Sequence, residues 1–210
     1  MAKQIEGVYD RVLESAEKEF LDKGFNNASL RVIAKEAETS TGSIYTRFGD
    51  KNGLFESLVK PTLDELMELT LKIQNGFDSL DADIKENNVK DYTIENHNII
   101  IDFIYDNKNT FLLLLNSSNG TDYENFMDEF IEIEEKYTIQ YLKDIGCNNM
   151  LENPVALEFL HILSTLYCQG IFEPLLHNMS REEAYEFDKL FSKYNTEGFC
   201  SVFNSSGISK

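Results

Sequence analysis

The amino-acid sequence predicts an all-α protein, in which a small amino-terminal three-helix domain precedes a larger helical domain. Apolar residues recur at three- and four-residue steps along most of the chain, which is the period of a helix. The 210 residues include only 3 Pro and 11 Gly, fewer breaks than a fold of many short strands requires. Strict alternation of apolar and polar residues, the pattern of a half-buried β-strand, is nearly absent.

The amino-terminal segment predicts two short helices joined by a tight turn. A first helix over residues 5–23 ends at Gly24, since Gly often follows the last turn of a helix. A second helix is capped by Asn27 or Ser29 and is followed by a turn and a third helix over 41–48. Two helices joined in this way place a recognition helix in the major groove of DNA. The sequence therefore predicts a helix-turn-helix unit.

The remaining helices form the predicted larger domain. A fourth helix, about 51–76, starts after an N-cap at Asp50 and contains Pro61, which is expected to kink it or to start a new segment. We expect this helix to be the only covalent link between the two domains, which span 1–50 and 51–210. Further helices are predicted over 92–107, 110–117, 123–145, 154–177 and 180–203, with a short helix or loop over 78–91.

The charge is distributed unequally between the two predicted domains. The whole chain has a formal net charge of −18. Residues 1–60 hold nine basic and ten acidic residues, and the remaining ten basic and 27 acidic residues give 61–210 a net charge of −17. The nearly neutral amino-terminal domain can present one cationic face to DNA, but its long-range attraction to phosphate must be weak.

Several polar residues of the third helix are candidate DNA contacts. With Ile44 and Phe48 facing the core, the side chains between them point wholly or partly outward. Hydroxyl groups can bond to phosphates or base edges, and an arginine can bond a guanine through two hydrogen bonds. The alternative is an ordinary helical hairpin with a solvated polar face. The candidates are Thr41, Ser43, Tyr45, Thr46 and Arg47.

One spacing in this region is specific. The pattern begins with Gly42, a small hydroxyl residue, an aliphatic residue and Tyr45. After two further residues comes Phe48, and after two more comes Lys51. The same stretch holds Gly24-Phe25, Ser29-Leu30-Arg31, Ile33-Ala34, Ala37, Ser40 and Leu54-Phe55. These residues resemble the amino-terminal domain of the tetracycline-repressor (TetR/AcrR) family of transcriptional regulators. The resemblance implies that Tyr45 and Lys51 contact backbone phosphates, assisted by Ser29 and Ser40.

Two positions depart from the pattern of that family. Glu38 stands in the turn where the family commonly has Gly, and we expect it to require a less relaxed backbone and to add an acid near the DNA. Thr41 stands where the family often has a basic residue or Pro. Both departures concern the affinity for DNA more than the fold.

The larger domain is rich in aromatic residues, which can line an apolar pocket with a few polar tips. A core position is the alternative for each of them. The excess of acid suggests a cationic or amphipathic effector, although acidic runs also form solvated faces. The pocket candidates are Phe77, Tyr92, Phe103, Phe111, Tyr137, Tyr141, His161 and Tyr167.

The last two helices are predicted to form a homodimer. The segment 154–177 is apolar almost all round, which is more apolar surface than one face of a monomer hides. Pairing with 180–203 across a two-fold axis would bury it in a four-helix bundle. The resemblance implies the same arrangement, and a central core helix of a monomer is the alternative.

Other classes of function lack support in the sequence. Cys147, Cys168 and Cys200 are widely spaced without a C-x-x-C pair, and no catalytic, metal or cofactor signature appears. No apolar run of about 18 residues and no signal peptide are seen, so we expect a cytoplasmic protein without a membrane span. The sequence thus predicts a non-enzymatic, ligand-responsive repressor of a pseudo-palindromic operator, released by a small, largely apolar effector. The alternative is a helical small-molecule sensor or interaction protein with weak or no DNA binding.

Overall fold

The structure, a computed structural model, describes residues 2–203, with the side chains of 7–89, 91–148 and 151–203. The described residues form helices without a strand, which confirms the all-α prediction. The helices are α1 (Ala2–Asn27), α2 (Leu30–Glu36), α3 (Thr41–Phe48), α4 (Lys51–Asp78), α5 (Ala82–Asp106), α6 (Lys108–Ser117), α7 (Met127–Asp144), α8 (Asn148–Leu151), α9 (Pro154–Leu176) and α10 (Arg181–Phe203).

The structure decides between predicted alternatives at two places. Helix α4 continues through Pro61, which removes one backbone donor, so no new segment starts there. The polar stretch over 78–91 mostly joins the apolar segment after it as the single helix α5. Its buried residue is Lys85, which is 3% exposed and pairs with Asp78 at 3.2 Å and with Asp144. The two carboxylates compensate the buried ammonium, so the stretch predicted as a short helix or loop forms the first turns of a packed helix.

Contacts between helices define two compact units. The amino-terminal unit contains the residues up to Glu65 together with 107–126, and the second unit contains Leu66–Asp106 and the residues from Met127 onward. Helix α6 belongs to the amino-terminal unit because it packs on α1. The chain therefore passes between the units at three points rather than through α4 alone. The predicted boundary at residue 50 stays a prediction.

Aromatic rings form the core of the amino-terminal unit. Phe20 and Phe55 are fully buried and meet edge to face, with ring centroids 5.3 Å apart, and Phe25 packs against both. Phe25 reaches this cluster because Gly24 leaves the helical conformation at φ 71° and ψ 161°, a backbone conformation that favours glycine. The predicted end of the first helix at Gly24 is thereby confirmed.

Caps set the starts of the last two helices in the second unit. The side chain of Asn153 accepts a hydrogen bond from the Val155 N–H at 3.0 Å, with Pro154 in the first turn of α9. Before α10, the Ser180 N–H donates to Glu183 Oε2 at 2.7 Å, and the Glu183 N–H donates to Ser180 Oγ at 3.2 Å. This reciprocal pair is a capping box.

Candidate nucleic-acid interface and ligand cavity

The turn between α2 and α3 is held in place by buried residues of both helices and by a contact from α1. Ile33, Ala37 and Ile44 are buried and hold both helices on the core. The Arg11 side chain of α1 donates from Nε to the carbonyl oxygen of Ala37 at 3.3 Å, so the first helix contacts the turn directly. These contacts orient the two helices as the helix-turn-helix prediction requires.

Glu38 occupies a left-handed backbone conformation in this turn, with φ 51°. An L-residue with a Cβ atom is disfavoured there, and glycine is favoured. The Glu38 N–H donates to the carbonyl oxygen of Lys35 at 3.2 Å, so the strained residue still closes α2. The less relaxed backbone expected at this position is confirmed.

The start of α3 is capped by Ser40, whose Oγ accepts a hydrogen bond from the Ser43 N–H at 3.1 Å. At the other end of α3, Phe48 stacks on Tyr9 with ring centroids 5.5 Å apart. With Ile44 fully buried between these two anchors, the remaining positions of α3 are turned away from the core.

The structure leaves most of the predicted contact residues of α3 accessible. The Tyr45 side chain is 54% exposed, and Thr46 and Arg47 are exposed as well. Thr46 Oγ1 donates to the carbonyl oxygen of Gly42 at 2.8 Å, so its hydroxyl can only accept a further bond from an outside donor. Ser40 is also exposed, whereas Thr41, Ser43 and Ser29 are half-buried.

Lys51, at the first turn of α4, is tied to the end of α1. Its Nζ donates to the carbonyl oxygen of Asn26 at 3.2 Å and lies 4.8 Å from the centre of the Phe25 ring. Burial lowers the pKa of Lys51, and the nearby Glu19 carboxylate opposes this. Glu19 in turn accepts the Ser29 N–H at 3.0 Å. Lys51 is thus a fixed cation that keeps further N–H donors for a phosphate.

The second unit contains a partly open cavity of about 450 Å³, within the range of small-molecule sites. Residues of α4, α5, α7, α9 and α10 line it, and most of these are aliphatic or aromatic. Five of the eight predicted pocket residues lie in its wall: Phe77, Tyr92, Tyr137, Tyr141 and Tyr167.

Three predicted pocket residues do not line this cavity. Phe111 is fully buried on α6 in the amino-terminal unit, because α6 packs on α1. His161 lies on an outward face of α9, where its Nδ1 pairs with Glu135 Oε2 at 3.0 Å. Phe103 lies about one turn beyond Ile100, the last residue of α5 in the wall. Helical periodicity identifies apolar residues but not the helix against which each one packs.

A buried polar cluster in the cavity wall was missed at the sequence level. His97 is 5% exposed; its Nδ1 lies 2.7 Å from Asp188 Oδ1, and its Nε2 contacts the Tyr167 hydroxyl. Ser192 Oγ joins the cluster 3.0 Å from His97 Nδ1. The available signal was the position of His97, one turn before the buried Ile101 on α5. The partners on α9 and α10 are distant in sequence and could not be inferred.

Glu134 of α7 also borders the cavity and was not predicted. Gln74 Nε2 donates to its Oε2 at 2.8 Å, and Thr138 Oγ1 donates to its Oε1 at 3.3 Å. Burial raises the pKa of Glu134, and the charge of His97 opposes the shift. Among the described residues, no lysine or arginine forms an ion pair with it.

Tyr141, one of the predicted pocket residues, carries an unsatisfied hydroxyl. Its side chain lies in the cavity wall and the residue is only 6% exposed. Within the described part of the chain its hydroxyl has no hydrogen-bond partner, and burial raises its pKa. A buried polar atom without a partner is costly and is normally satisfied by protein, water or a ligand.

The last two helices expose apolar side chains in stripes at helical spacing. On α9 the stripe contains Val155, Phe159, Ile162 and Leu166, the first of which is 75% exposed. On α10, Leu190 and Tyr194 are 72% and 79% exposed. By length and composition α9 is the one described helix apolar enough to cross a membrane, and a third of its 18-residue apolar stretch is buried. No group of three potential metal ligands occurs in the described part of the chain.

Comparison with known proteins connects these features to a family. Residues 12–58 match the family model described as bacterial regulatory proteins, tetR family. A segment of 70 residues, 31% of this chain, is 37% identical to the HTH-type transcriptional regulator YvdT of Bacillus subtilis, an uncharacterised protein. That segment covers 36% of YvdT, so the chain matches about a third of the length of this curated relative.

Solved structures extend the similarity to the whole fold. A regulator of Aquifex aeolicus VF5, described as belonging to the TerR/AcrR family, superposes with a TM-score of 0.62 at 16% identity, over 89% of this chain and 98% of that one. A putative fatty acid metabolism regulator of Clostridium perfringens superposes with a TM-score of 0.53 at 16% identity, over 95% of this chain and 99% of that one. Residues 12–58 are thus similar to the helix-turn-helix domain of the TetR family of bacterial regulatory proteins.

Proposed function

We propose that this chain is a cytoplasmic transcriptional regulator that binds an operator as a homodimer and responds to a small molecule. The observation that carries the proposal is the exposed polar face of α3, held in a helix-turn-helix of the matched family. A promoter occupied by the protein would be blocked sterically, so repression is the proposed mode. An interaction protein that keeps the fold without binding DNA is the alternative.

The contacts within the amino-terminal unit, the head, support a role for each DNA-facing group. Tyr45 and Lys51 contact phosphates, and Ser40 assists, because its Oγ accepts the cap bond and keeps its O–H to donate. Arg47 and Thr46 reach base edges. Because the Thr46 hydroxyl already donates its proton to the carbonyl oxygen of Gly42, Thr46 can only accept a hydrogen bond from a base amino group, on adenine or cytosine.

The exposed stripes of α9 and α10 support dimerisation with a second copy of this chain. They are continuous at helical spacing and contain large apolar residues, as a self-complementary four-helix bundle requires. Phe159 and Tyr194 belong both to these stripes and to the cavity wall. The second copy would therefore cover that part of the cavity rim. Two heads of a dimer would read half-sites about 34–36 Å apart, or a multiple of this.

Helix α4 is the proposed connection between effector and operator. Its carboxyl-terminal half lines the cavity through Ile73, Gln74 and Phe77, and its first turn holds Lys51. A ligand that favours one position of α4 would change the separation of the two recognition helices. A tenfold loss of operator affinity requires only about 1.4 kcal/mol of coupling.

The structural neighbour from Clostridium perfringens is named a putative fatty acid metabolism regulator, so fatty acids are one effector class to weigh for this chain. A free fatty acid would bring its carboxylate into a cavity whose wall already contains Glu134 and, behind His97, Asp188. The charges of this chain therefore do not favour that class.

A gel-shift assay against the DNA that flanks the encoding gene tests the proposal. Tyr45→Ala and Lys51→Ala should weaken binding to all sequences alike, and Lys51→Ala should lower the salt slope by about one. Replacing Thr46 or Arg47 should instead change which sequence is preferred. Melting temperatures are needed as a control for Lys51→Ala, because Lys51 also donates a hydrogen bond to the carbonyl oxygen of Asn26. Absence of binding to any genomic fragment at low salt would favour the alternative.

A further inference from the structure

We propose that the cavity binds an amphipathic organic cation, whose ammonium group pairs with Glu134 and whose apolar part lies among the aromatic side chains. This inference rests on the proposed ligand-responsive function and names the chemical class of the effector.

The charges of the cavity favour a cation. Only two ionisable groups other than tyrosine and cysteine line it, Glu134 and His97, and no lysine or arginine of the described chain does so. Asp188 is the acid paired with His97, whichever protonation state the imidazole has. Glu134 is left with two neutral donors, Gln74 and Thr138, and with no ion-pair partner among the described residues. A ligand cation would supply the missing opposite charge beside this half-buried carboxylate.

The rings around Glu134 are suited to the same kind of ligand. Helix α7 presents one stripe to the cavity, in which Phe130 precedes Glu134 by one turn and Tyr137 and Tyr141 follow it. The faces of aromatic rings attract cations, and their bulk accommodates an alkyl or aryl body. An acid within an aromatic stripe therefore combines the two features that an amphipathic cation needs.

Tyr141 contributes its ring to the cavity wall, but its hydroxyl is buried behind that surface and has no partner in the described chain. Tyr141 lies seven positions after Glu134, which is about 10 Å along a helix. A ligand with its cation at Glu134 would reach this hydroxyl only after the Tyr141 side chain turns towards the open volume.

Calorimetric titration of the full chain with three probes tests the proposal. Decylammonium, decanol and decanoate share one alkyl chain and differ in the charge of the head group, and all are used below the concentrations at which they form micelles. Decylammonium should bind roughly tenfold more tightly than decanol, as expected for a hydrogen bond to a charged group, and decanoate should bind most weakly. Glu134→Gln should bring the affinity for decylammonium to within about twofold of that for decanol.

The matched control is Glu132→Gln, which removes the same charge from an exposed position of α7 and should leave the preference for decylammonium intact. The proposal is overturned if decanoate or decanol binds best, if none of the probes binds, or if Glu134→Gln keeps the preference for the cation. These outcomes are independent of DNA binding. Gel shifts with the same variants therefore separate failure of the ligand assignment from failure of the proposed function.

Discussion

Glu38 combines backbone strain with an acid beside the proposed DNA-binding face. Replacing it by Gly removes both, whereas Gln removes only the charge. A left-handed conformation costs an L-residue about 1–2 kcal/mol, and the extra chain entropy of Gly offsets about half of this. We predict that Glu38→Gly raises the free energy of unfolding by about 0.5–1 kcal/mol in urea titrations.

The Gln variant separates the two effects of Glu38. Glu38→Gln keeps the left-handed backbone with φ 51°, so its stability should stay close to that of the unmodified protein. Both variants should bind DNA more tightly at low salt, because each removes one negative charge near the phosphates. An unchanged stability of Glu38→Gly would show that this turn carries no strain.

Glu134 gives the second unit a pH dependence of stability. Burial raises its pKa above the ordinary 4.5, so the folded protein resists ionisation of this carboxyl. Its contribution to stability is complete below the pKa of the unfolded chain and is lost as the pH rises through the higher folded pKa. We predict that Glu134→Gln is more stable than the unmodified protein at pH 8, and that the advantage shrinks as the pH falls towards 4.5.

The groups that face Glu134 are His97 from α5, Tyr167 from α9 and Asp188, behind His97, from α10. They are present in both proteins, so the difference between the two unfolding curves isolates Glu134. Glu132→Gln serves as the exposed control and should show no such trend. A pH-independent difference between Glu134→Gln and the unmodified protein would contradict the assigned burial.

At the scale of elements, the junction between α3 and α4 depends on the small size of Gly53. A Cβ atom at this position would lie 2.0 Å from the carbonyl oxygen of Phe48, whereas one at Gly42 would meet only Ser40 Oγ, at 3.7 Å. Gly53→Ala should therefore destabilise the amino-terminal unit by about 3 kcal/mol or more, because backbone must move.

Gly42→Ala is the matched substitution on α3. It should stabilise the helix by up to about 1 kcal/mol, because Ala is the better helix former. It should nevertheless weaken DNA binding, because the new methyl group stands on the exposed face of the recognition helix. Thermal unfolding and gel shifts of the two variants measure both effects. Equal stability of the two variants would contradict the described junction.

The bounds of single helices could be predicted from the sequence better than the contacts between helices. The bounds of α3 and α9 follow from local patterns, and the structure places them within a residue of the prediction. The packing of α6 on α1 and the partners of His97 join residues far apart in the chain. Lys85 shows the same limit, since one of its two carboxylate partners, Asp144, lies 59 residues away in the chain.

For the whole molecule, the exposed stripes of α9 and α10 predict a dimer that a single charge should disrupt. Leu166 is 57% exposed at the middle of α9, so a glutamate there costs the monomer little but would be buried without a partner in the interface. Leu166→Glu should sediment as a monomer at micromolar concentration and lose operator affinity. The control is Val32→Glu, at an apolar residue of α2 that is 42% exposed, and it should leave the dimer intact. A monomeric unmodified protein would refute the interface.

Footprinting of the full chain on the DNA that flanks the encoding gene tests the central claim most directly, since it reports binding, symmetry and spacing together. The account predicts two related half-sites, protected on one face of the duplex and separated by about 34–36 Å or a multiple of this, with protection lost in Tyr45→Ala. Absence of protection at low salt, or a footprint that survives Tyr45→Ala and Arg47→Ala together, would contradict the assignment of α3 as a recognition helix.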